Sequence, residues 1–141
     1  AYNTVDRSGS AVYLGNNISG SIDTFVGIAG ANRGLHSCGT WPNAVSTDTC
    51  GANGLSVNNP FLTELGWGGN EASYTFSIKS YVDEVVCMGS CYVSGEHSSY
   101  INGEDGTYEY AIVPYGHFNS KKYSADYQID MIFNHDTDGI Y

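Results

Sequence analysis

From Tyr123 to Phe133 the residues Tyr123, Ala125, Tyr127, Ile129, Met131 and Phe133 fall on one parity, and the other parity is almost wholly polar. Successive side chains of a strand point to opposite faces, so this run reads as a long half-buried β-strand near the end of the chain. A second alternation sets Tyr74, Phe76 and Ile78 against Thr75, Ser77 and Lys79, and a third puts Tyr108, Tyr110 and Ile112 on one face. Ser10 to Leu14 and Ile18 to Ile28 read as an opening hairpin turned by Gly15, Asn16 and Asn17, residues that tolerate positive φ. Tyr81 to Met88 and Tyr92 to Ser94 read as another hairpin, and Asn119 to Lys121 as a turn. Phe61 to Trp67, following Pro60, fits either one helical turn or a short strand. Between Ala29 and Pro60 the pattern dissolves into Gly, Asn, Ser, Thr and Cys, which predicts a long connection over the surface. The expectation is an all-β fold: one antiparallel β-sandwich, or flattened barrel, of about seven or eight strands over residues 1–141. Residues 1–8 would form an extended N-terminal assembly segment.

Cysteines refine that picture. Cys87 and Cys91 flank Met88, Gly89 and Ser90, and a three-residue hairpin loop would bring them to disulfide distance. Cys38 and Cys50 bracket an aperiodic segment whose closure is worth about 3 kcal/mol in the chain-entropy model. A four-thiolate zinc site needs two closely spaced pairs, and only the second pair has that spacing. Disulfides are favoured over zinc, and with them an oxidising, extracellular compartment. Asn17-Ile18-Ser19 is a glycosylation sequon, compatible with a secreted glycoprotein. A start at Ala1 with no basic and apolar leader is compatible with a signal already cleaved.

Charge narrows the partners. Five Lys and Arg against fifteen Asp and Glu give a net charge of −10, with no basic cluster beyond Lys121-Lys122, which argues against nucleic acid. No apolar run approaches the ~18 residues of a membrane span, so membrane insertion is not expected. Charged residues are only 14% of the chain, while 12 Tyr and 18 Gly suit an extracellular β-protein.

Chemistry-bearing motifs are sparse. His36, His97, His117 and His135 are scattered, and no serine lies in a Gly-x-Ser-x-Gly context. Glu96-His97 and His135-Asp136 set an acid beside an imidazole, but neighbours in a strand point apart. Asn134, Asp136 and Asp138, followed by Gly139, match the first half of a calcium loop, with Ca2+ as the one cofactor the sequence suggests. The position-12 acid of such a loop would have to come from another segment or subunit. Trp41 and Trp67 lie in or beside glycine-rich loops, where an indole could stack on a sugar ring. The leading functional expectation is a non-enzymatic extracellular structural subunit. It would polymerise with copies of itself into a pilus-like filament by β-strand pairing, a segment such as Ala1 to Val5 donating to the next copy. The alternatives are a secreted glycan-binding module or toxin-like effector using Trp41 and Trp67, and a small hydrolase using Glu96, His97 or His135.

Overall fold

In the computed structural model the centre of the fold is the strand Tyr74–Ser80, from which every residue but the first is buried. The structure describes residues 18–45, 47–65 and 71–139. After a 3-10 turn at Ser19–Ser21, the described elements run β1 (Thr24–Ile28), β2 (Leu35–Thr40), β3 (Ser56–Val57), α1 (Pro60–Leu65), β4 (Tyr74–Ser80), β5 (Tyr92–Val93), β6 (Glu96–His97), β7 (Gly106–Tyr110), α2 (His117–Tyr123) and α3 (Ala125–Phe133). The main sheet has the order β1-β4-β7, with both pairings parallel: Ile28 opposite Ile78, and Ile78 opposite Tyr108. Two small sheets accompany it, β2 with β3 and the short antiparallel pair β5 with β6.

The antiparallel β-sandwich, or flattened barrel, expected from the sequence is therefore wrong. The fold is mixed α/β around a mostly parallel sheet, and no barrel closes among the described residues. The alternation in β4 reads as one wet face and one dry face, but its polar parity is buried too. Thr75, Ser77 and Lys79 are at most 5% exposed, as a central strand of a parallel sheet requires when chain covers both sides. That second face is satisfied locally: Ser77 Oγ meets Thr107 Oγ1 at 3.0 Å, and Lys79 Nζ pairs with Glu104 at 3.1 Å. Ile101 closes over β1, and a Cβ on Gly27 would come within 2.9 Å of its Cδ1.

The larger correction concerns Tyr123 to Phe133. This run is the end of α2 and the whole of α3, not a strand. Its spacing by two also contains a spacing by four, and Tyr127 and Met131 lie one helical turn apart on the face that meets the sheet. Met131 is fully buried in a core of Phe76, Ile78 and Tyr110, with Val26, Ile28, Tyr108, Tyr115 and Tyr127 packed around it. The intervening members of the same parity, Ile129 and Phe133, are 40% and 77% exposed. Asn119 to Lys121 is thus helix, not turn.

Elsewhere, Tyr81 to Met88 is turn rather than strand, and the supposed loop from Ala29 to Pro60 contains β2 and β3. Of the proposed opening hairpin, Ser10 to Leu14 lies outside the described residues, and only Thr24–Ile28 of its second arm is strand. Phe61 lies in the helix α1, where Asn59 Oδ1 accepts from the Leu62 N–H at 2.8 Å and Pro60 fills the first helical position.

Candidate active site

Two loops leave the carboxyl ends of neighbouring parallel strands, the edge where α/β sheets bind their ligands. The first leaves β4 and carries Asp83; the second leaves β7 and carries His117 at the start of α2. The Ser80 hydroxyl ties them together. It donates to the Tyr115 carbonyl at 2.5 Å and accepts from the Val82 N–H at 3.2 Å.

Asp83 is 2% exposed, and each of its oxygens has a separate partner. Oδ1 accepts from the N–H groups of Val85 and Val86 at 2.8 and 2.7 Å, capping the turn that follows. Oδ2 lies 2.9 Å from His117 Nδ1. A buried acceptor at that distance fixes the imidazole with its proton on Nδ1, leaving Nε2 as the basic nitrogen. The His117 side chain keeps 27% of its exposure, so the ring is held from one side and reachable from the other. The backbone N–H of the same residue donates to Glu84 Oε2 at 2.9 Å. An imidazole oriented by a buried carboxylate is an arrangement able to take and return a proton. No described residue hydrogen-bonds His117 Nε2.

A family model described as Lipase (class 2) matches residues 3–130, a span that contains both Asp83 and His117. The chain belongs to the class 2 lipase family. This membership overturns the expectation of a non-enzymatic filament subunit and points to an esterase or lipase instead. No curated protein and no solved structure matched the chain.

Sequence reasoning missed the pair because its members are 34 residues apart and share no local motif. The available signal was positional: an acid three residues beyond β4, and a Gly-His step six residues beyond the end of β7. The histidines it weighed against neighbouring acids are engaged elsewhere. His97 is buried, with Nε2 3.2 Å from the Ser80 carbonyl and Nδ1 accepting from the Ser99 N–H; burial first of all holds its pKa below the usual histidine value. His135 stacks on Tyr74 and meets Asp23, not Asp136, at 3.0 Å at the opposite end of the sheet. His36 Nε2 lies 2.7 Å from the Tyr92 carbonyl.

Cys38 is bonded to Cys50 and Cys87 to Cys91. Cys87, Cys91 and His97 bring three potential metal-ligand atoms together, but they do not fit an ion in this state. Both sulfurs are in the disulfide, and both ring nitrogens of His97 face backbone partners. In the turn after α3, Asn134 donates to Asp130 Oδ1, Asp136 Oδ1 accepts from the Thr137 N–H, and the Gly139 N–H closes onto Asp130 Oδ2. Asp138 is exposed in that turn. Trp41 is 37% exposed just after β2, while Asn17, Trp67 and the whole segment 1–8, with Ala1 to Val5, lie outside the described residues. A cavity of about 640 Å3 opens among Phe25, Leu55, Leu62, Val93, Tyr100 and Ile101; neither Asp83 nor His117 lines it.

Proposed function

We propose that Asp83 and His117 are the acid and base of a carboxylic-ester hydrolase acting on esters with apolar acyl chains. The observation that carries this reading is the 2.9 Å contact between a buried carboxylate and a partly exposed imidazole at the carboxyl edge of a parallel sheet, inside the span matched by the lipase family. His117 Nε2 takes the proton from an attacking hydroxyl as its oxygen bonds to the ester carbonyl carbon. Asp83 stabilises the imidazolium so formed, and the same proton passes to the departing alkoxide as the bond from the carbonyl carbon to the alkoxy oxygen breaks, giving the alcohol and an ester of the attacking hydroxyl, which water then cleaves to the carboxylic acid through the same proton relay. In α/β-hydrolases the chain order is nucleophile, acid, base, and Asp83 precedes His117 in agreement with it.

An apolar substrate is supported by the exposed residues of the segment that carries the imidazole. Ile112, Val113 and Phe118 are 66%, 78% and 74% exposed, and the Phe118 ring lies edge-on to His117 with centroids 5.1 Å apart. Large apolar groups exposed along the loop and helix that carry His117 suit an acyl chain or a lipid surface. Work outside the cytosol is supported by the two disulfides.

Hydrolysis of p-nitrophenyl esters of increasing chain length, together with fluorophosphonate labelling and peptide mapping of the labelled serine, tests the reading. His117→Ala should lower both turnover and labelling by on the order of a thousandfold or more. Turnover within a few-fold of the parent protein would overturn it.

A further inference from the structure

Asp83 and Glu84 are consecutive in sequence, and both reach His117: Asp83 holds the ring, and Glu84 holds the backbone N–H of the same residue at 2.9 Å. We propose that Glu84 is a positioning residue for His117, fixing the backbone from which the base swings. The proposal rests on the reading of Asp83 and His117 as acid and base.

Three observations support it. An imidazole pinned only at Nδ1 can still pivot about that contact whenever its Cα shifts. A second acceptor on the main-chain N–H of the same residue removes that freedom. Gly116, just before His117, is the residue that makes the approach possible. A Cβ there would collide with Glu84 Oε2 and lie 3.2 Å from the Val82 carbonyl, although the backbone itself, at φ −75°, accepts any side chain. The first turn of α2 has no side-chain cap of its own, so the Glu84 carboxylate supplies from another loop the acceptor that the Gly116 position lacks. The Glu84 carboxyl is held below the usual carboxylate range by its own N–H first and that of His117 second, as a carboxylate accepting from both would be.

The test compares Glu84→Ala, Glu84→Gln and Gly116→Ala in the full chain, with Asp83→Asn as the control. Proton NMR reads the low-field Nδ1–H resonance that Asp83 sustains on His117, and hydrogen exchange reads the His117 amide; neither needs turnover. Glu84→Ala and Gly116→Ala should broaden or remove the ring resonance and speed amide exchange on the order of tenfold. Glu84→Gln, which keeps an acceptor oxygen, should restore both. In ester turnover the same two variants should lower kcat on the order of tenfold with KM unchanged, well short of the ~100-fold that a 1 Å misplacement costs. An unchanged resonance and unchanged exchange in Glu84→Ala would overturn the positioning role. If instead Asp83→Asn left the resonance intact, the acid–base pair itself would fall, and the two failures are therefore distinct.

Discussion

Replacing Asp83 by asparagine and by alanine separates the two oxygens of one side chain. Oδ1 caps the turn at Val85 and Val86, and Oδ2 orients His117. Alanine removes both. The Val86 residue is 1% exposed, so its N–H loses its acceptor where water cannot replace it, at about 1–3 kcal/mol, and the lost cap falls within the usual range of about 0.5–2 kcal/mol. These costs overlap, and a total of about 2–3 kcal/mol corresponds to a Tm lower by about 6–9 °C for a domain of this size. Asparagine keeps the carbonyl oxygen on the turn and puts an NH2 group opposite His117 Nδ1. The ring must then accept at Nδ1 and carry its proton on Nε2, where it can no longer act as a base. The expected Tm change for Asp83→Asn is under about 4 °C, while ester turnover falls by on the order of ten-thousandfold, the loss that follows when a serine hydrolase's histidine is locked in the wrong tautomer. Thermal unfolding by circular dichroism and steady-state ester hydrolysis on the same preparations measure both. Asparagine and alanine variants equally destabilised, or an asparagine variant within tenfold of the parent in turnover, would refute the division of labour.

Met131→Ala should cost about 2–4 kcal/mol, because the side chain is fully buried between α3 and the sheet, whereas Phe133→Ser, at 77% exposure, should stay within about 0.5 kcal/mol; denaturant titration separates these outcomes from a strand, in which both residues would share a face. His97 titrates lower in the folded chain than in the unfolded one because it is buried, so the unfolded state binds the extra proton first as pH falls. Its contribution to stability is therefore fully present above about pH 6.5 and lost below that, by up to about 1.4 kcal/mol per pH unit. His97→Gln should flatten the slope of Tm against pH from about 6.5 downward relative to the parent chain, and an unchanged slope would contradict the burial argument.

How far the sequence reached can be judged from individual elements. The strong alternation at Tyr74 to Lys79 marked the central strand, because β-branched and aromatic residues at period two fit a pleat whether or not both faces are covered. Tyr108 to Tyr110 likewise falls within β7. The same period-two pattern at Tyr123 to Phe133 failed as a strand signal, because Tyr127 and Met131 satisfy a helical stripe just as well, and only the presence of a sheet for them to cover chose between the two. Parallel pairing was invisible for a related reason: register and direction depend on which distant strands meet, and β1 and β4 are joined by a 45-residue connection that no local pattern encodes.

The site was the least legible part. Single residues such as Asp83 and His117 carry no periodicity, and their chemistry exists only when adjacent strands bring their two following loops within 2.9 Å. By itself the sequence determined the acidic charge and the strand positions at the sheet's centre, both properties of composition and short-range pattern. Tertiary structure alone decided that the final run is helix, that the polar face of β4 is buried, and that an aspartate and a histidine 34 residues apart meet in one hydrogen-bonded pair. The physical reason is the same in each case: burial and hydrogen-bond partners are supplied by distant chain, and they outweigh local preference.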